Sequence, residues 1–313
     1  MQSPALDYLR HGQTPFFRLP LAHLHPAAEL ASAEAAVLGV PHDAGTTYQP
    51  GARLAPYHVR RVSALVQGHH PVHRLDVFAR LRCVDAGNVV FPPFDRAAMR
   101  SAVEAEVRQL VTADIAPIVI GGDHSISLPV VRALGKRLGP LAIVHFDAHL
   151  DLSGPNVWGD EFHHGTPIRH IIDEGLVEPA QLYQIGVRGP RGSASDDVIA
   201  RTQGHTVLSP DHIDERGVAR VCAELRERIG ARPVYVTFDV DAIDPAFAPG
   251  TGTPVPGGLT AREALALVRG LGGLDVRGGD VVEVCPPLDH ADITSHLAAN
   301  LAWELLALIA LRH

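Results

Sequence analysis

Eight short apolar runs, almost uninterrupted by polar residues, constrain the fold of this 313-residue chain more than any other feature. They occupy 35–40, 83–84, 118–120, 141–146, 182–187, 205–208, 234–240 and 281–284. A strand with one wet face alternates apolar and polar residues, so near-continuous runs predict strands covered on both faces. Between the runs lie stretches that read as helices at 96–113, 127–138, 218–229, 261–270 and 293–311. Strands alternating with helices predict an α/β protein built on a parallel sheet. A closed eight-stranded barrel has a similar length and alternation, and the pattern alone leaves it open.

No internal repeat and no linker divides the chain, which predicts one domain over 1–313. A Pro-rich arm over 1–33, with Pro15, Pro20 and Pro26, precedes it. Lys and Arg number 27 against 35 Asp and Glu, a net charge of −8 that gives no footprint for nucleic acid. Hydrophobic residues at 46% and charged residues at 20% exclude a disordered chain. The longest apolar stretches, such as 298–311, are broken by Asn300 and Glu304 and read as too short for a bilayer. The N-terminal residues carry no signal-peptide pattern. Cys83, Cys222 and Cys285 are an odd set without metal-like spacing, which predicts a reducing, cytoplasmic setting and structural thiols. Histidine is abundant, at 19 residues. His69, His70 and His73 flank Pro71 and read as surface residues of a loop.

The residues immediately after each run carry the chemistry. The segments GVPHD, VDAGN, IGGDHS, HFDAHLD, IGVRG, FDVDAIDP and VEVCPP gather acids and histidines at the strands' C-terminal ends. That is where α/β sheets place their sites. Asp147, His149 and Asp151 stand at i, i+2 and i+4, a spacing that puts all three on one face of an extended backbone. Asp239 and Asp241 repeat the spacing, and His124 adds an imidazole after Gly121–Gly122. Any one of these residues alone would read as a cap or a turn former. Together, carboxylates directly after apolar strands repel one another unless a cation holds them. Four carboxylates and two imidazoles suit two divalent ions, and the oxygen-rich set favours Mn²⁺. Two ions sharing a water would lower its pKa toward neutrality.

The segments GGDHSIS, HFDAHLD and FDVDAIDPAFAPGTGTPVPGGLT resemble the signature motifs of the arginase/agmatinase (ureohydrolase) family. The likeness runs from GVPHDAGTTYQPGAR to VVEVCPPLDHADIT, and GTTYQPGAR and APGTGTP resemble the agmatinase branch. It implies a three-layer α/β/α fold on a mostly parallel, open sheet of about eight strands, deciding against the barrel. It implies two Mn²⁺ per subunit: one held by His124, Asp147, Asp151 and Asp239, the other by Asp147, His149, Asp239 and Asp241. Asp244 reads as a turn former before Pro245. The resemblance also implies that Glu283 receives the guanidinium group, that Asp151 steers the proton of the attacking hydroxide, and that His164 protonates the leaving amine. His163 and His164 are nearly even by residue type, and motif position selects His164. The implied substrate is a small guanidino compound, with agmatine to putrescine and urea leading, a step of polyamine biosynthesis. Guanidinobutyrate, guanidinopropionate and a proclavaminate-type amidino compound are alternatives. No nucleic acid or membrane partner is implied, and a homo-oligomer, trimer or hexamer, is.

Leu152, Ala55 and Tyr57 depart from the family's usual residues. For the far end of the substrate, Trp158, Asp160 and Glu161 would suit an amine tail and Arg53 an acid tail. Trp158 lining the tail or merely packing are equal readings. Two other classes compete: a binuclear phosphoesterase, for which a later His-rich motif is missing, and a non-catalytic guanidine binder, disfavoured because every ligand position is filled.

Overall fold

Among the described residues, ten strands appear in chain order in the computed structural model. They are β1 (Ala35–Gly39), β2 (His69–His70), β3 (Leu75–Asp76), β4 (Cys83–Asn88) and β5 (Ala116–Ile120). β6 (Leu141–Phe146), β7 (Val177–Ile185), β8 (Thr206–Leu208), β9 (Pro233–Asp239) and β10 (Asp275–Val282) complete the set. The structure describes residues 14–22, 30, 32–154, 157–190 and 195–312. Pro26 and much of the expected arm lie outside the described residues, as do Pro155 and Asn156.

Eight strands form one sheet in the order β4-β1-β5-β10-β9-β6-β7-β8, every pair parallel. β4 and β8 are edges that do not meet, so the sheet is open and the barrel is excluded. Successive side chains of a strand point to opposite faces, and both faces are covered. Ala35 and Val37 of β1 join one core and Ala36 and Leu38 the other.

Helices close both cores. α1 (Ala55–Ser63) and the short α2 (Val77–Arg80) precede α3 (Arg96–Thr112) and α4 (Ser127–Leu138). α5 (Pro167–Asp173), α6 (Ser195–Gln203), α7 (Pro210–Arg216) and α8 (Val218–Ile229) come next, then α9 (Ala261–Arg269) and α10 (Ile293–Ala310). Residues of α1, α7, α8, α9 and α10 line the first core, and those of α3, α4, α5 and α6 the second. The result is three layers. Local signals set several boundaries: Asp95 caps α3, and Thr260 with Glu263 forms a capping box on α9.

All eight expected strands exist, but their apolar runs understate three of them. β4 extends through Asp85 because that buried carboxylate is satisfied by Arg60 Nε at 2.8 Å and by the Phe16 amide. β7 begins at Val177, and β10 begins at Asp275, where Arg277, Gly278, Gly279 and Asp280 hide the apolar pattern.

The reading of the histidine loop is corrected at His70, while His69 is exposed as expected. His69–His70 pairs antiparallel with Leu75–Asp76, and His70 is fully buried rather than on the surface. Its Nε2 lies 2.9 Å from Oε2 of buried Glu304, and its ring stacks on Trp303. The Arg269 side chain also donates to Glu304. A polar residue in an apolar helix thus marks an anchor for a hairpin, not an exposed face.

α10 is another correction. Its 18 residues are long and apolar enough to cross a membrane by length and composition, yet 83% of that span is buried inside the protein. It is a core helix packed on β10, α1 and α9. Cys83, Cys222 and Cys285 are free and buried, and burial pushes the Cys285 thiol up to about 11. Leu152 and Ala55 are buried, while Tyr57 is exposed.

Candidate metal centre

Four neighbouring central strands, β5, β10, β9 and β6, end at the same edge of the sheet. The chain leaves them at Gly121, Glu283, Val240 and Asp147, so residues far apart in sequence meet there.

After β5, Gly121 and Gly122 both adopt left-handed backbone, at φ 86° and 83°. A Cβ on Gly122 would sit 2.9 Å from the Val40 carbonyl oxygen, so only glycine turns the chain this closely. Asp123 then caps the His124–Ile126 turn and accepts from the Ser125 amide at 3.0 Å and the Gly45 amide at 2.7 Å. This buries His124 and ties it to the GTTYQPGAR loop.

The strand β6 stops at Phe146, so Asp147, His149 and Asp151 lie in the segment beyond it rather than on an extended face. They converge because that segment bends, with Asp151 in left-handed backbone at φ 52°. Likewise Asp241 lies in the Val240–Ala242 turn, which Asp239 caps by accepting the Asp241 amide at 2.8 Å.

Two ligand groups result. In the first, His124 Nδ1 lies 3.0 Å from Asp147 Oδ2, 3.0 Å from Asp151 Oδ2 and 3.4 Å from Asp239 Oδ2. In the second, His149 Nδ1 lies 3.2 Å from Asp147 Oδ1 and 3.1 Å from Asp241 Oδ2. Asp147 belongs to both groups, one oxygen in each.

His124 shows what the cluster is built for. Thr237 Oγ1 donates to Asp280 Oδ1 at 2.6 Å, so at 2.8 Å it accepts from His124 Nε2. The proton therefore belongs on Nε2, and the Nδ1 lone pair faces three carboxylates. Nδ1 and Asp151 Oδ2 are buried atoms without a hydrogen-bond partner. Lone pairs aimed at one another require a cation between them. Without one, a proton must serve. Burial opposes a charge on His124, but Asp147, Asp151 and Asp239 hold its pKa well above the ordinary value. Burial also opposes charge on His149, yet Asp241 and Asp147 push it up to about 12. Burial, with Asp241 and Asp147 beside it, raises Asp239. The residues fit a pair of divalent cations.

His145 is a group that sequence reasoning missed. Gln184 Nε2 donates to its Nδ1 at 3.1 Å, so its Nε2 carries the proton and donates to Asp147 Oδ2 at 2.9 Å. It orients a ligand carboxylate, as groups behind a metal site commonly do. Asp280, Thr237, His145 and Gln184 are register partners on β10, β9, β6 and β7, forming one polar rung beneath the cluster. The available signal was their position within otherwise apolar runs; His145 and Thr237 each stand two residues before a ligand candidate.

Glu283 lies just past β10 in left-handed backbone at φ 61° and is buried. Such a conformation in a residue other than glycine costs about 1–3 kcal/mol and concentrates at functional sites. Its Oε1 accepts from the His124 amide at 2.8 Å and lies 3.0 Å from His164 Nδ1. His164 Nε2 faces Thr47 Oγ1 at 2.8 Å, near the surface. Burial opposes charge on His164, but Glu283 pushes its pKa up to about 9. His163 is turned away: its Nδ1 accepts from the Gly165 amide at 3.1 Å, and burial lowers its pKa.

Two of the three charged candidates for the substrate's tail, Arg53 and Asp160, are otherwise engaged, while Glu161 is exposed. Arg53 pairs with buried Asp43, and Asp160 with Arg96 and the Phe162 amide. Trp158 is 63% exposed, so it is no part of the core. Asp244 is a turn former, accepting from the Ala246, Gly257 and Gly258 amides.

The sequence model of the arginase family matches residues 33–308. The chain belongs to the arginase family. Proclavaminate amidinohydrolase of Streptomyces clavuligerus is 44% identical over 97% of this chain and 96% of its own. Guanidinopropionase of Pseudomonas aeruginosa is 44% identical over 94% and 91%, and agmatinase of Proteus mirabilis 39% over 94% and 92%. The solved structure of the Streptomyces clavuligerus amidinohydrolase overlays with a TM-score of 0.89, covering 97% of this chain and 99% of that one at 43% identity. This arginase-family chain is accordingly a hydrolase of C–N bonds, and its histidine–aspartate cluster fits the family's metal dependence.

Proposed function

We propose that this chain hydrolyses a small guanidino compound to urea and an amine, using two Mn²⁺ ions held by His124, Asp147, His149, Asp151, Asp239 and Asp241. The observation that carries the reading is the lone pair of His124 Nδ1 facing Asp147, Asp151 and Asp239 at 3.0–3.4 Å. The preponderance of carboxylate oxygen supports Mn²⁺ over Zn²⁺. Asp239 would serve with Asp147 as the second shared ligand. When bound, two such ions supply Lewis acidity and lower the pKa of a shared water.

The chain's own residues do the rest. Glu283, a buried carboxylate, receives the guanidinium, which stays protonated at physiological pH. Asp151 takes one proton of the attacking water as its oxygen bonds to the guanidino carbon. His164, whose pKa Glu283 raises, gives a proton to the tail nitrogen as that C–N bond breaks and then takes the hydroxyl proton from the same carbon as the carbonyl of urea forms. Urea and the amine leave.

Agmatine is the leading substrate, supported by the GTTYQPGAR and APGTGTP segments. One observation favours a second reading, a guanidino acid: guanidinopropionase is 44% identical and the agmatinase of Proteus mirabilis 39%. We also propose one domain over 1–313, a reading supported by the two cores of the described residues lying on the same sheet. The free cysteines support a reducing cytoplasmic setting. We further propose a homo-oligomer, trimer or hexamer.

Urea release from agmatine, 4-guanidinobutyrate and 3-guanidinopropionate, with phosphate monoesters as controls, tests the function. Urea from any of the guanidines is the expected result. Phosphate release, or no turnover with both ions bound, overturns it.

A further inference from the structure

The loop after β7 carries an arginine without a carboxylate partner among the described residues. Arg188 donates to backbone carbonyls instead. Nη1 reaches Gly186 at 3.0 Å and Ala242 at 3.1 Å. Nη2 reaches Asp241 at 2.8 Å, Ile243 at 3.4 Å and Val255, while Nε reaches Val255 at 3.1 Å and Pro256 at 3.2 Å. Gly258 leaves room for the guanidinium, since any Cβ there would overlap Nη2.

The carbonyls of 241–243 come from the turn that presents Asp241, and those of 255–256 from the loop behind it. Pointing at one spot, they repel one another unless a donor with several N–H groups fills it. A guanidinium, planar with five N–H groups in a fixed fork, meets that demand, whereas an ammonium does not. The Arg188 backbone amide meanwhile donates to the Ala148 carbonyl at 3.0 Å, between Asp147 and His149. The Ala148 amide in turn donates to Asp241 Oδ1 at 3.0 Å. One residue thereby joins the two segments that supply Asp147, His149 and Asp241.

We infer that Arg188 is a positioning residue for the Asp147–His149–Asp241 half of the centre, setting Asp241 against His149 through the backbone. The inference rests on the two-ion reading above. It distinguishes the halves: His124 is held by Thr237 and Asp151 lies in the bend beyond β6, and the Arg188 side chain donates to neither, whereas its acceptors Asp241 and Ala242 lie in the turn that presents Asp241.

The test is calorimetric titration of Mn²⁺ into metal-free wild type, Arg188→Met and Arg188→Lys, with folding monitored by circular dichroism. EPR of the loaded proteins reads the metal arrangement directly. Wild type should bind two ions and show the exchange-coupled signal of a manganese pair. Arg188→Met should retain one site and lose affinity at the other by about 10–100-fold, the usual effect of removing a group that orients a ligand. Its spectrum should be that of isolated Mn²⁺. Arg188→Lys, which keeps the charge without the fork, should show the same selective loss. Two ions bound as in wild type by either folded variant, or equal weakening of both sites, overturns the inference. So does collapse of the fold in both variants, which would make Arg188 a residue of the fold alone. Failure of wild type to bind two ions would instead refute the metal reading.

Discussion

Thr237 accepts the Nε2 proton of His124 at 2.8 Å, and through that bond a strand residue decides which nitrogen of the imidazole faces the carboxylates. Asp280 fixes the direction by taking the threonine's own proton at 2.6 Å. Thr237→Val keeps the shape and removes the acceptor. We expect it to weaken Mn²⁺ binding by about 10–100-fold in a calorimetric titration. An unchanged affinity would show that the tautomer is set elsewhere.

Removal of metal should abolish urea release, and Mn²⁺ should restore it best among divalent ions. The motive is the donor set: four of the six candidate ligands, Asp147, Asp151, Asp239 and Asp241, are carboxylates. Recovery with Zn²⁺ or Ni²⁺ alone would overturn the identity of the metal while leaving the fold untouched.

Asp239 lies 3.4 Å from His124 Nδ1 and caps the turn that carries Asp241, so it stands between the two groups. Asp239→Asn is expected to cost both ions. Elemental analysis showing two metals per chain in the folded variant would rule out the shared role.

His164 contacts Glu283 and Thr47 but no candidate metal ligand in either group. His164→Ala should therefore keep two ions and lose turnover by about 10²–10⁴-fold, the contribution typical of a positioned proton donor. His163→Ala, which removes an acceptor for the Gly165 amide, should affect stability more than turnover. Reversal of the two phenotypes in parallel kinetic and thermal measurements would assign the proton to His163.

Agmatine should exceed 4-guanidinobutyrate in kcat/KM by about tenfold, equivalent to roughly 1.4 kcal/mol. Arg53 is held by Asp43 and is therefore a poor partner for an acid tail. Side-by-side urea release decides the matter. A reversed ratio would place the enzyme with the guanidino acid hydrolases.

Much of the frame was legible because it depends on local pattern. A strand covered on both faces must be apolar throughout, and each of the eight sheet strands contains such a run. Acid and histidine at the ends of these runs marked His124, Asp147, His149, Asp151, Asp239 and Asp241 for the same reason: hydrophobic strands carry polar residues out to one edge. Spacing did less than expected. Asp147 to Asp151 and Asp239 to Asp241 converge through bends and a turn, since both strands end before or at the first acid.

Only the tertiary structure decided which polar residues answer one another. Asp280 on β10, Thr237 on β9, His145 on β6 and Gln184 on β7 lie in register across adjacent strands, although up to 135 residues separate them. Strand order is a property of the folded sheet, and no local period encodes it. The same holds for Glu304, which breaks an apolar helix in sequence and holds buried His70 in space. Arg188 is the extreme case, because its partners are backbone carbonyls that leave no trace in residue type. Side-chain chemistry along the chain determined where the charges gather; the packing of distant strands and turns determined the direction in which each lone pair points.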